Sequence, residues 1–504
     1  MIILDGPDDL TPTIYRRIVY HLETVKPSEA ALQRVGNSRC LFLKHLESGA
    51  LCYGVNTGCG AQVGVDLTED DKARFSRQIL LGRAVAVGIP FSAAVVRGAM
   101  LVRLAQFLTG HNAVSAELCQ YLCDRLNDRF TPYVPSMGLG MAGEIIPLCH
   151  LAQALIGEGF VLTDDGARVS AATALADRGV TPYEPLPKEG MSLINGVAMG
   201  PAASFDLSDR IRRTLALATL AAASSIEGIG ASLEAFGEDV ARLRPEPALA
   251  RIADAVRALL ARTEISRSGR QPPISFRTIP QILGTLLQAL TDLQAAIGAE
   301  WRTISDNPAF IPDGMAPGFG RLVHSGNFHC ADLTQRVETT ALSLAQVATA
   351  SERRLHRLLD QRFSGLTPQL ARRPGLDAGL IVLHKAVLGL LAHIRSLSVP
   401  PSLQHGDCSF GQEDIATMLF PALDRLAEID RITRIVAVYE LYAALVAIDQ
   451  RGQKPGDRIE TVRDFVRVLI PPYEGDRPYG PEIECLATLV EAEDFPLPET
   501  LRAD

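Results

Sequence analysis

Long runs of apolar residues at helical spacing dominate the second half of the chain. In these runs apolar side chains recur at positions i, i+3, i+4 and i+7, which places them on one face of a helix. Strand-like alternation of apolar and polar residues is scarce. The pattern predicts a mainly α-helical protein built on a bundle of long helices. The runs cover residues 207–236, 279–300, 327–359, 376–397 and 413–450.

Glycine and proline interrupt the helical pattern mainly in the first 200 residues and again over residues 265–325. These residues mark turns and loops, which are the parts of a helical scaffold that most often carry function. We therefore predict three parts: an N-terminal domain with reactive loops over 1–205, a central long-helix bundle over 206–450, and a C-terminal segment over 451–504 that packs on the bundle.

Composition is that of a soluble globular chain, with 504 residues, 47% hydrophobic and 21% charged. The net charge of −9 opposes a nucleic-acid partner, because such proteins usually present a basic patch. Arg353, Arg354 and Arg357 do cluster, but at helical spacing they are predicted to be solvated or interface charges. No uncharged apolar stretch reaches the roughly 18 residues of a membrane span, so no membrane association is predicted.

The nine cysteines are odd in number and scattered, without paired Cys-x-x-Cys spacing. This usage favours a reducing cytoplasm and predicts neither a disulfide framework nor a metal site. Cys119 and Cys123 stand four apart in an apolar helix and are predicted to be buried thiols. The N-terminus has no basic region followed by an apolar run, so we expect no signal peptide.

A short glycine-rich segment, residues 138–148, reads Gly-Leu-Gly-Met-Ala-Gly-Glu-Ile-Ile-Pro-Leu. It resembles the signature Gly-Ala-Ser-Gly-Asp-Leu-Ala-Pro-Leu of the aromatic amino acid ammonia-lyase and aminomutase family. Further segments resemble that family in the same order along the chain, which makes the resemblance specific. They are residues 51–60, 189–196, 271–281, 305–308, 325–329, 352–354, 363–366 and 412–414.

The resemblance implies a fold, an assembly and a chemistry. The fold is a long antiparallel helix bundle of the ammonia-lyase and fumarase type, and the assembly is a homotetramer with sites built from more than one subunit. The chemistry removes ammonia and a β-proton from a small α-amino acid. It needs an electrophile, a base and an anchor for the substrate carboxylate.

The electrophile position departs from the family. There Ala-Ser-Gly cyclises and dehydrates to a methylidene-imidazolone, and the three matching residues here are Met141, Ala142 and Gly143. Ala142 has no hydroxyl to lose as water, so we predict that this prosthetic group is absent and that no cofactor replaces it. An apolar helix from Glu144 should follow, which puts the segment at a helix N-terminus. Either natural divergence or a Ser-to-Ala change would explain Ala142.

The resemblance assigns the other roles residue by residue. Tyr53, on the Tyr-Gly-Val-Asn-Thr-Gly loop, matches the base, and Arg277 matches the carboxylate anchor because a guanidinium suits bidentate binding. Each residue also has an alternative, purely structural role. Tyr53 could be a tyrosine packed before a turn, and Arg277 could form an internal salt bridge. Four further residues match positions around the substrate, where the alternative is loop ordering or packing: Asn195, Gln271, Phe328 and Glu413.

Several pocket positions differ from the family pattern. Ile274 stands where tyrosine is usual, and Arg83 stands where histidine-specific members carry histidine. Arg83 adds positive charge at a selectivity position, which hints at a second anionic or polar group on the ligand. The electrophile and two polar pocket groups are lost together, while Tyr53, Asn195 and Arg277 remain.

Three functions fit these observations. The first is an ammonia-lyase-like enzyme that performs elimination, addition or isomerisation on a small carboxylate-bearing substrate without a methylidene-imidazolone. The second is a non-catalytic ligand-binding or scaffold homologue. The third is a conventional ammonia-lyase inactivated by a Ser-to-Ala change. The sequence does not name the substrate.

Overall fold

The computed structural model describes residues 1–62, 64–140, 142–316, 318–404 and 406–501. Its described part is mainly helical, as the apolar periodicity predicted. The α-helices there are α1 (Pro12–Val19), α2 (Glu29–Glu47), α3 (Glu69–Leu81), α4 (Ala93–Phe107), α5 (Ala116–Asn127), α6 (Ile145–Leu155), α7 (Ala171–Ala176), α8 (Glu189–Ile194), α9 (Met199–Ile229), α10 (Glu238–Leu243), α11 (Pro247–Leu259), α12 (Ile274–Arg277), α13 (Ile279–Arg302), α14 (Ala331–Leu359), α15 (Gln361–Ser364), α16 (Ile381–Ser396), α17 (Leu419–Arg451), α18 (Asp457–Arg467) and α19 (Tyr479–Leu489).

The strands are short and form small sheets. They are β1 (Ile2–Leu4), β2 (Val25–Pro27), β3 (Val87–Pro90), β4 (Thr131–Pro132), β5 (Pro135–Met137), β6 (Phe160–Leu162), β7 (Arg168–Ser170), β8 (Ala309–Pro312) and β9 (Gly320–Val323). β1 pairs with β2 in parallel, whereas β3 pairs with β5, β6 pairs with both β4 and β7, and β8 pairs with β9, all antiparallel.

Serine side chains begin several helices of the N-terminal part. Ser28, Ser92 and Ser115 precede α2, α4 and α5, and each accepts a hydrogen bond from the backbone N–H three residues later. A hydroxyl in this position satisfies one of the free N–H groups of the first helical turn. The local sequence therefore fixes where these helices start.

The chain divides into two compact units. The first unit consists of Met1–Asp206, Gln294–Gln335 and Pro401–Leu423, and the second of Leu207–Leu293, Arg336–Pro400 and Asp424–Asp504. The long helices α9, α13, α14 and α17 each contain one of these boundaries. The predicted division into 1–205, 206–450 and 451–504 stays a prediction.

The core of the first unit surrounds α4, which is buried from Val95 to Phe107 on every face. An aromatic cluster lies beside it, where the ring of Tyr15 stacks on Trp301 at 4.8 Å between ring centroids and touches Phe205 at 4.5 Å. The described cysteines of α5, Cys119 and Cys123, are buried, as predicted. This packed core gives the neighbouring loops a rigid base.

The core of the second unit contains a buried ion pair. Arg354 donates from Nε and Nη2 to the two carboxylate oxygens of Glu440 at 2.6 and 2.9 Å, and Ser225 and Ser351 donate to the same carboxylate. The prediction that Arg354 is a solvated or interface charge is wrong, since its side chain is 1% exposed. Charge spacing along a helix could not reveal Glu440, which approaches from another helix.

Two helical stretches in the described residues match a membrane span in length and composition: Ile279–Arg302 and Ile381–Leu403. Apolar core helices of soluble proteins pass the same test, and half of the first stretch is buried in the protein. The match is therefore weak evidence for a membrane segment.

Candidate active site

A cavity of about 480 Å³ opens in the first unit and gathers most of the predicted site residues. This volume is within the usual range for small-molecule sites. Tyr53, Ala142, Gly143, Asn195, Phe328 and Glu413 were all predicted from sequence and all line it. The described lining is completed by Leu51, Thr57, Gly60, Ile145, Asn307, His324 and Gln412.

The segment that should carry the electrophile forms one wall of the cavity. Gly143 has a φ of +72°, a conformation that favours glycine, and a side chain placed there would lie 3.6 Å from Phe328. Helix α6 begins two residues later at Ile145, so the segment does precede a helix N-terminus, as predicted. Met141 lies outside the described residues.

Glu144 connects this wall to the start of a second helix. Its buried carboxylate accepts hydrogen bonds from the backbone N–H groups of Ala198, Met199 and Gly200, each at 2.6 Å, where α9 begins. A carboxylate is favoured at this positive end of a helix. Burial nevertheless raises the pKa of Glu144 to about 7, against the lowering effect of the three hydrogen bonds. Sequence analysis placed Glu144 only at the start of α6 and missed this contact.

The raised pKa of Glu144 predicts a pH dependence of stability. The folded chain holds the Glu144 proton more tightly than the unfolded chain, so the stabilisation is complete below about pH 4.5 and is lost as pH rises through about 7. We expect Glu144→Gln to flatten the decline in melting temperature across this window. The exposed Glu29, in the first turn of α2, provides a matched control. Equal pH slopes for Glu144→Gln, Glu29→Gln and the unaltered protein would contradict the assignment.

Tyr53 sits on a loop at the edge of the cavity. Its hydroxyl accepts a hydrogen bond from the Gly60 backbone N–H at 2.7 Å, and its ring meets the ring of His324 edge-on at 6.2 Å. Burial raises the pKa of Tyr53, although the Gly60 N–H and the nearby Arg83 charge act in the opposite direction. A phenol in this environment needs alkaline conditions or a ligand to become a base.

Asn195 lines the cavity beside a tight turn. Its side-chain NH₂ donates to the backbone carbonyl of Asn307 at 2.5 Å and to the sulfur of Met191 at 3.6 Å. Gly196 follows with a φ of +136°, and a Cβ there would lie 2.7 Å from both Arg103 Nη1 and Ser305 Oγ. This crowding and the positive φ together require glycine at position 196. Both N–H groups of the Asn195 side chain are therefore used to order the loop, which is the alternative role named for this residue in the sequence analysis.

Buried charges support this turn from behind. Lys188 donates to Asp306 at 2.8 Å with both side chains fully buried, and Ser192 donates to the same carboxylate oxygen. Arg103, also buried, donates to the backbone carbonyl of Asn195 at 3.1 Å. Sequence reasoning missed this network, because its members are scattered over 200 residues. Two family-like segments carried part of it, 189–196 with Ser192 and 305–308 with Asp306, but neither indicated the pairing.

Glu413 and Arg83 are held by other residues. The Glu413 carboxylate accepts hydrogen bonds from the Ser409 hydroxyl at 3.0 Å and the Cys408 thiol at 3.4 Å. Arg83 donates to the Ile79 carbonyl at 3.1 Å and to the sulfur of Cys59 at 3.0 Å. Glu413 reaches the cavity, whereas contact between Arg83 and a ligand stays a prediction.

Three predicted residues belong to the second unit. Arg277 ends the short helix α12 and donates from Nε to the Pro272 carbonyl at 3.0 Å. Ile274 is 67% exposed, and Gln271 is exposed as well. Within the described part of the chain the bond to Pro272 is the one side-chain hydrogen bond of Arg277, and it does not use the Nη atoms. Its role as an anchor stays a prediction, as do those of Gln271 and Ile274.

The second unit also holds the one described group of three side chains with metal-binding atoms close together: Glu352, His356 and His384. His384 Nε2 lies 2.6 Å from a Glu352 oxygen, which is a hydrogen-bond distance. The two imidazoles stack at 4.3 Å with 18° between their planes. Stacked rings direct their in-plane lone pairs along separate lines, so this arrangement does not point both at one ion.

The chain belongs to the aromatic amino acid lyase family, whose model matches residues 10–468. The histidine ammonia-lyase of Deinococcus radiodurans is 32% identical to it over 483 residues, covering 94% of this chain and 91% of the relative. The histidine ammonia-lyase of Bacillus subtilis is 30% identical over 505 residues, covering 98% and 97%.

Solved structures agree with this assignment. The ergothioneine-degrading enzyme ergothionase of Treponema denticola, solved with desmethyl-ergothioneine sulfonic acid, superimposes with a TM-score of 0.92 at 26% identity, covering 97% of this chain and 98% of that one. The histidine ammonia-lyase of Trypanosoma cruzi gives a TM-score of 0.87 at 26% identity, covering 99% and 96%. The predicted family and fold are thereby confirmed.

The methylidene-imidazolone of this family does not fit the residues present. Its formation requires a side-chain hydroxyl at the central residue, to be eliminated as the second water. Ala142 carries a methyl group at this position, on the wall of the cavity. No reaction step is therefore assigned to that group in this chain.

Proposed function

We propose that this protein is a lyase-family enzyme that eliminates an amine from a small, carboxylate-bearing amino-acid derivative without a methylidene-imidazolone. The observation that carries the proposal is Ala142, which lines the same cavity as Tyr53, Asn195 and Glu413. A cavity that keeps the base position and loses the electrophile suits a substrate that needs no activation by the protein.

Tyr53 is the proposed base. Its hydroxyl lies at the cavity edge, and as a phenolate it would remove the β-proton of the substrate. Arg277 is the proposed carboxylate anchor, supplied in a homotetramer by a neighbouring subunit. Phe328 would pack on the substrate ring, and Glu413 would bind a polar or cationic group.

The names of the relatives support a substrate class. Two are named histidine ammonia-lyases, and a structural neighbour is named as an ergothioneine-degrading enzyme. We propose an aromatic amino-acid derivative as substrate and the cytoplasm as the site of action. The test is a screen in which the cinnamate- or urocanate-type product is followed by its ultraviolet absorbance. A complete absence of product and of ligand binding would favour the scaffold hypothesis.

A homotetramer is the expected assembly. The second unit exposes large apolar side chains on one groove, including Ile274 at 67% and Leu342 at 60% exposure. Exposed apolar patches of this kind usually mark contacts between proteins. Light scattering at micromolar concentration should give four times the mass of 54.3 kDa. Leu342→Glu should lower the measured mass, and a monomeric unaltered protein would contradict the prediction.

Arg277→Ala should weaken the binding of an acid-bearing ligand by about 2 kcal/mol, the usual loss for a charge-assisted contact. This corresponds to roughly thirtyfold in Kd. Arg270, an exposed arginine on the preceding loop, offers a matched control. Titration calorimetry with a substrate acid and its uncharged amide tests the assignment. An equal loss for both ligands, or for Arg270→Ala, would contradict it.

A further inference from the structure

We propose that Arg83 and Cys59 are a positioning pair for the base, which holds Tyr53 at the edge of the cavity and keeps a positive charge near its hydroxyl. This inference rests on the proposed function and adds two residues to its machinery. It gives Arg83 a role that acts through Cys59 and needs no contact with a ligand.

Two hydrogen bonds and one peptide group link Tyr53 to Arg83. The Tyr53 hydroxyl accepts from the Gly60 N–H at 2.7 Å, and Gly60 is the residue after Cys59. The Cys59 sulfur accepts from Arg83 Nη2 at 3.0 Å. The guanidinium therefore holds one end of the peptide group whose N–H binds Tyr53.

Arg83 is itself fixed at the end of helix α3. Its Nη1 donates to the Ile79 carbonyl at 3.1 Å, in the last turn of α3. Helix α6 holds the same end, because Cys149 and Gln153 each donate to the Leu80 carbonyl at 2.8 Å. α6 begins directly after the electrophile segment, so this segment and Tyr53 are attached to the same two helices.

The Tyr53 loop also has bonds within itself. The Gly58 N–H donates to the Val65 carbonyl at 2.8 Å, and the Leu67 N–H donates to the Asn56 carbonyl at 3.0 Å. These bonds shape the loop but do not tie it to a neighbouring helix. The contact between Arg83 and Cys59 does so, at the residue next to the one that Tyr53 uses.

A thiol is a suitable partner for Arg83 in this position. Burial raises the pKa of Cys59, although the Arg83 charge opposes the rise, so the thiol is neutral near pH 7. A neutral sulfur accepts a hydrogen bond without cancelling the charge of the guanidinium, as a carboxylate would. Among the described residues Arg83 forms no ion pair with a carboxylate, so its charge can act on Tyr53.

The groups around Tyr53 act on its phenol in opposite directions. Burial raises the pKa of Tyr53, and the neighbouring acidic groups add to this effect, whereas the Gly60 N–H and the Arg83 charge lower it. Arg83 thus supplies the positive charge that favours the phenolate needed for proton abstraction. The charged and titratable side chains facing Tyr53 in the described part are Cys59, Arg83, His324 and Glu413.

The first test measures the Tyr53 phenolate without any substrate. Its absorbance is the difference between each protein and its Tyr53→Phe counterpart, at one alkaline pH where circular dichroism shows both folded. Arg83→Gln should lower this signal about threefold or more, because the favourable charge is lost. Arg83→Lys should keep most of it, and Arg74→Gln, at an exposed arginine of α3, should keep all of it.

The sign of the change separates the pair from a merely structural contact. Loss of a structural contact would loosen the loop, hydrate the phenol and raise the phenolate signal, since burial is what opposes ionisation. An arginine that only contacts a ligand would leave the signal unchanged. Either result would overturn the proposal. Arg83→Met, which also removes the charge, gives the same test if Arg83→Gln does not fold.

The second test follows amide hydrogen exchange in peptides that contain Gly60. Cys59→Ala removes the acceptor for Arg83 and should speed exchange about fivefold, the usual effect of one lost hydrogen bond. Cys59→Ser keeps an acceptor and should stay close to the unaltered protein, as should Cys40→Ala, at an exposed cysteine of the same unit. Unchanged exchange in Cys59→Ala would overturn the pair. Both tests omit the substrate, so the product screen judges the proposed elimination separately.

Discussion

The purified protein should release no measurable ammonia from histidine, phenylalanine or tyrosine. The family reaction activates the substrate amine through an electrophile made from a serine, and Ala142 stands in its place on the cavity wall. Without this activation, the amine is too poor a leaving group for the remaining side chains. A turnover number of about 1 per second or above, ordinary for enzymes, on any of the three would contradict this reading.

The mass and the spectrum test the same expectation without a substrate. The intact chain should have the mass of its sequence, or one water less if the backbone cyclises, and no added near-ultraviolet absorbance. The Bacillus subtilis histidine ammonia-lyase, 30% identical, is a suitable positive control for ammonia release. A loss of one water together with two hydrogens from residues 140–143 would mean that the backbone cyclises and that Ala142 is oxidised to a methylidene.

Tyr53→Phe should lower kcat on the true substrate by about 10² to 10⁴, the usual contribution of a general base. Substrate affinity should change little, because the variant keeps the ring and loses only the hydroxyl. Since burial raises the pKa of Tyr53, the phenolate grows as pH rises, and kcat should increase about tenfold per pH unit below that pKa. The residual rate of Tyr53→Phe should lack this slope.

Tyr133 provides a control for Tyr53. It is a tyrosine of the same unit whose hydroxyl donates to the carbonyl of Gly88, and Tyr133→Phe should leave kcat and its pH profile unchanged. If Tyr53→Phe keeps full turnover with an unaltered pH slope, Tyr53 is not the base. A loss of binding equal to the loss of kcat would instead assign Tyr53 to substrate positioning.

The helical fold could be predicted because its signal is local and repeated. Apolar periodicity placed the predicted run at 279–300 close to α13, at Ile279–Arg302, and the run at 413–450 near α17, at Leu419–Arg451. The predicted boundaries of the helices were less accurate, because apolar residues at helical spacing do not stop where a helix stops. Residues 207–236 were predicted as one helix, whereas α9 covers Met199–Ile229 and begins where Glu144 meets its first N–H groups.

Site residues could be predicted only where a short motif carried them. Tyr53, Asn195, Phe328 and Glu413 stand in segments that resemble the family, and the cavity brings them together. His324 was missed, because it has no local pattern. Lys188, Asp306 and Arg103 were missed because long-range pairing of buried charges leaves no periodic trace in sequence. Arg354 was misjudged for the same reason.

The buried pair Lys188–Asp306 has a consequence for the energetics of ligand capture. The pair and Ser192 hold the start of α8 in place, and Arg103 holds the backbone carbonyl of Asn195 that follows α8. This side of the cavity is ordered before any ligand arrives, so it should lose little conformational entropy on binding. The entropic penalty should then fall mainly on the Tyr53 loop. Amide hydrogen exchange should register this asymmetry. We expect ligand-induced protection over residues 52–62 and almost none over 189–197, where exchange should be slow even without a ligand.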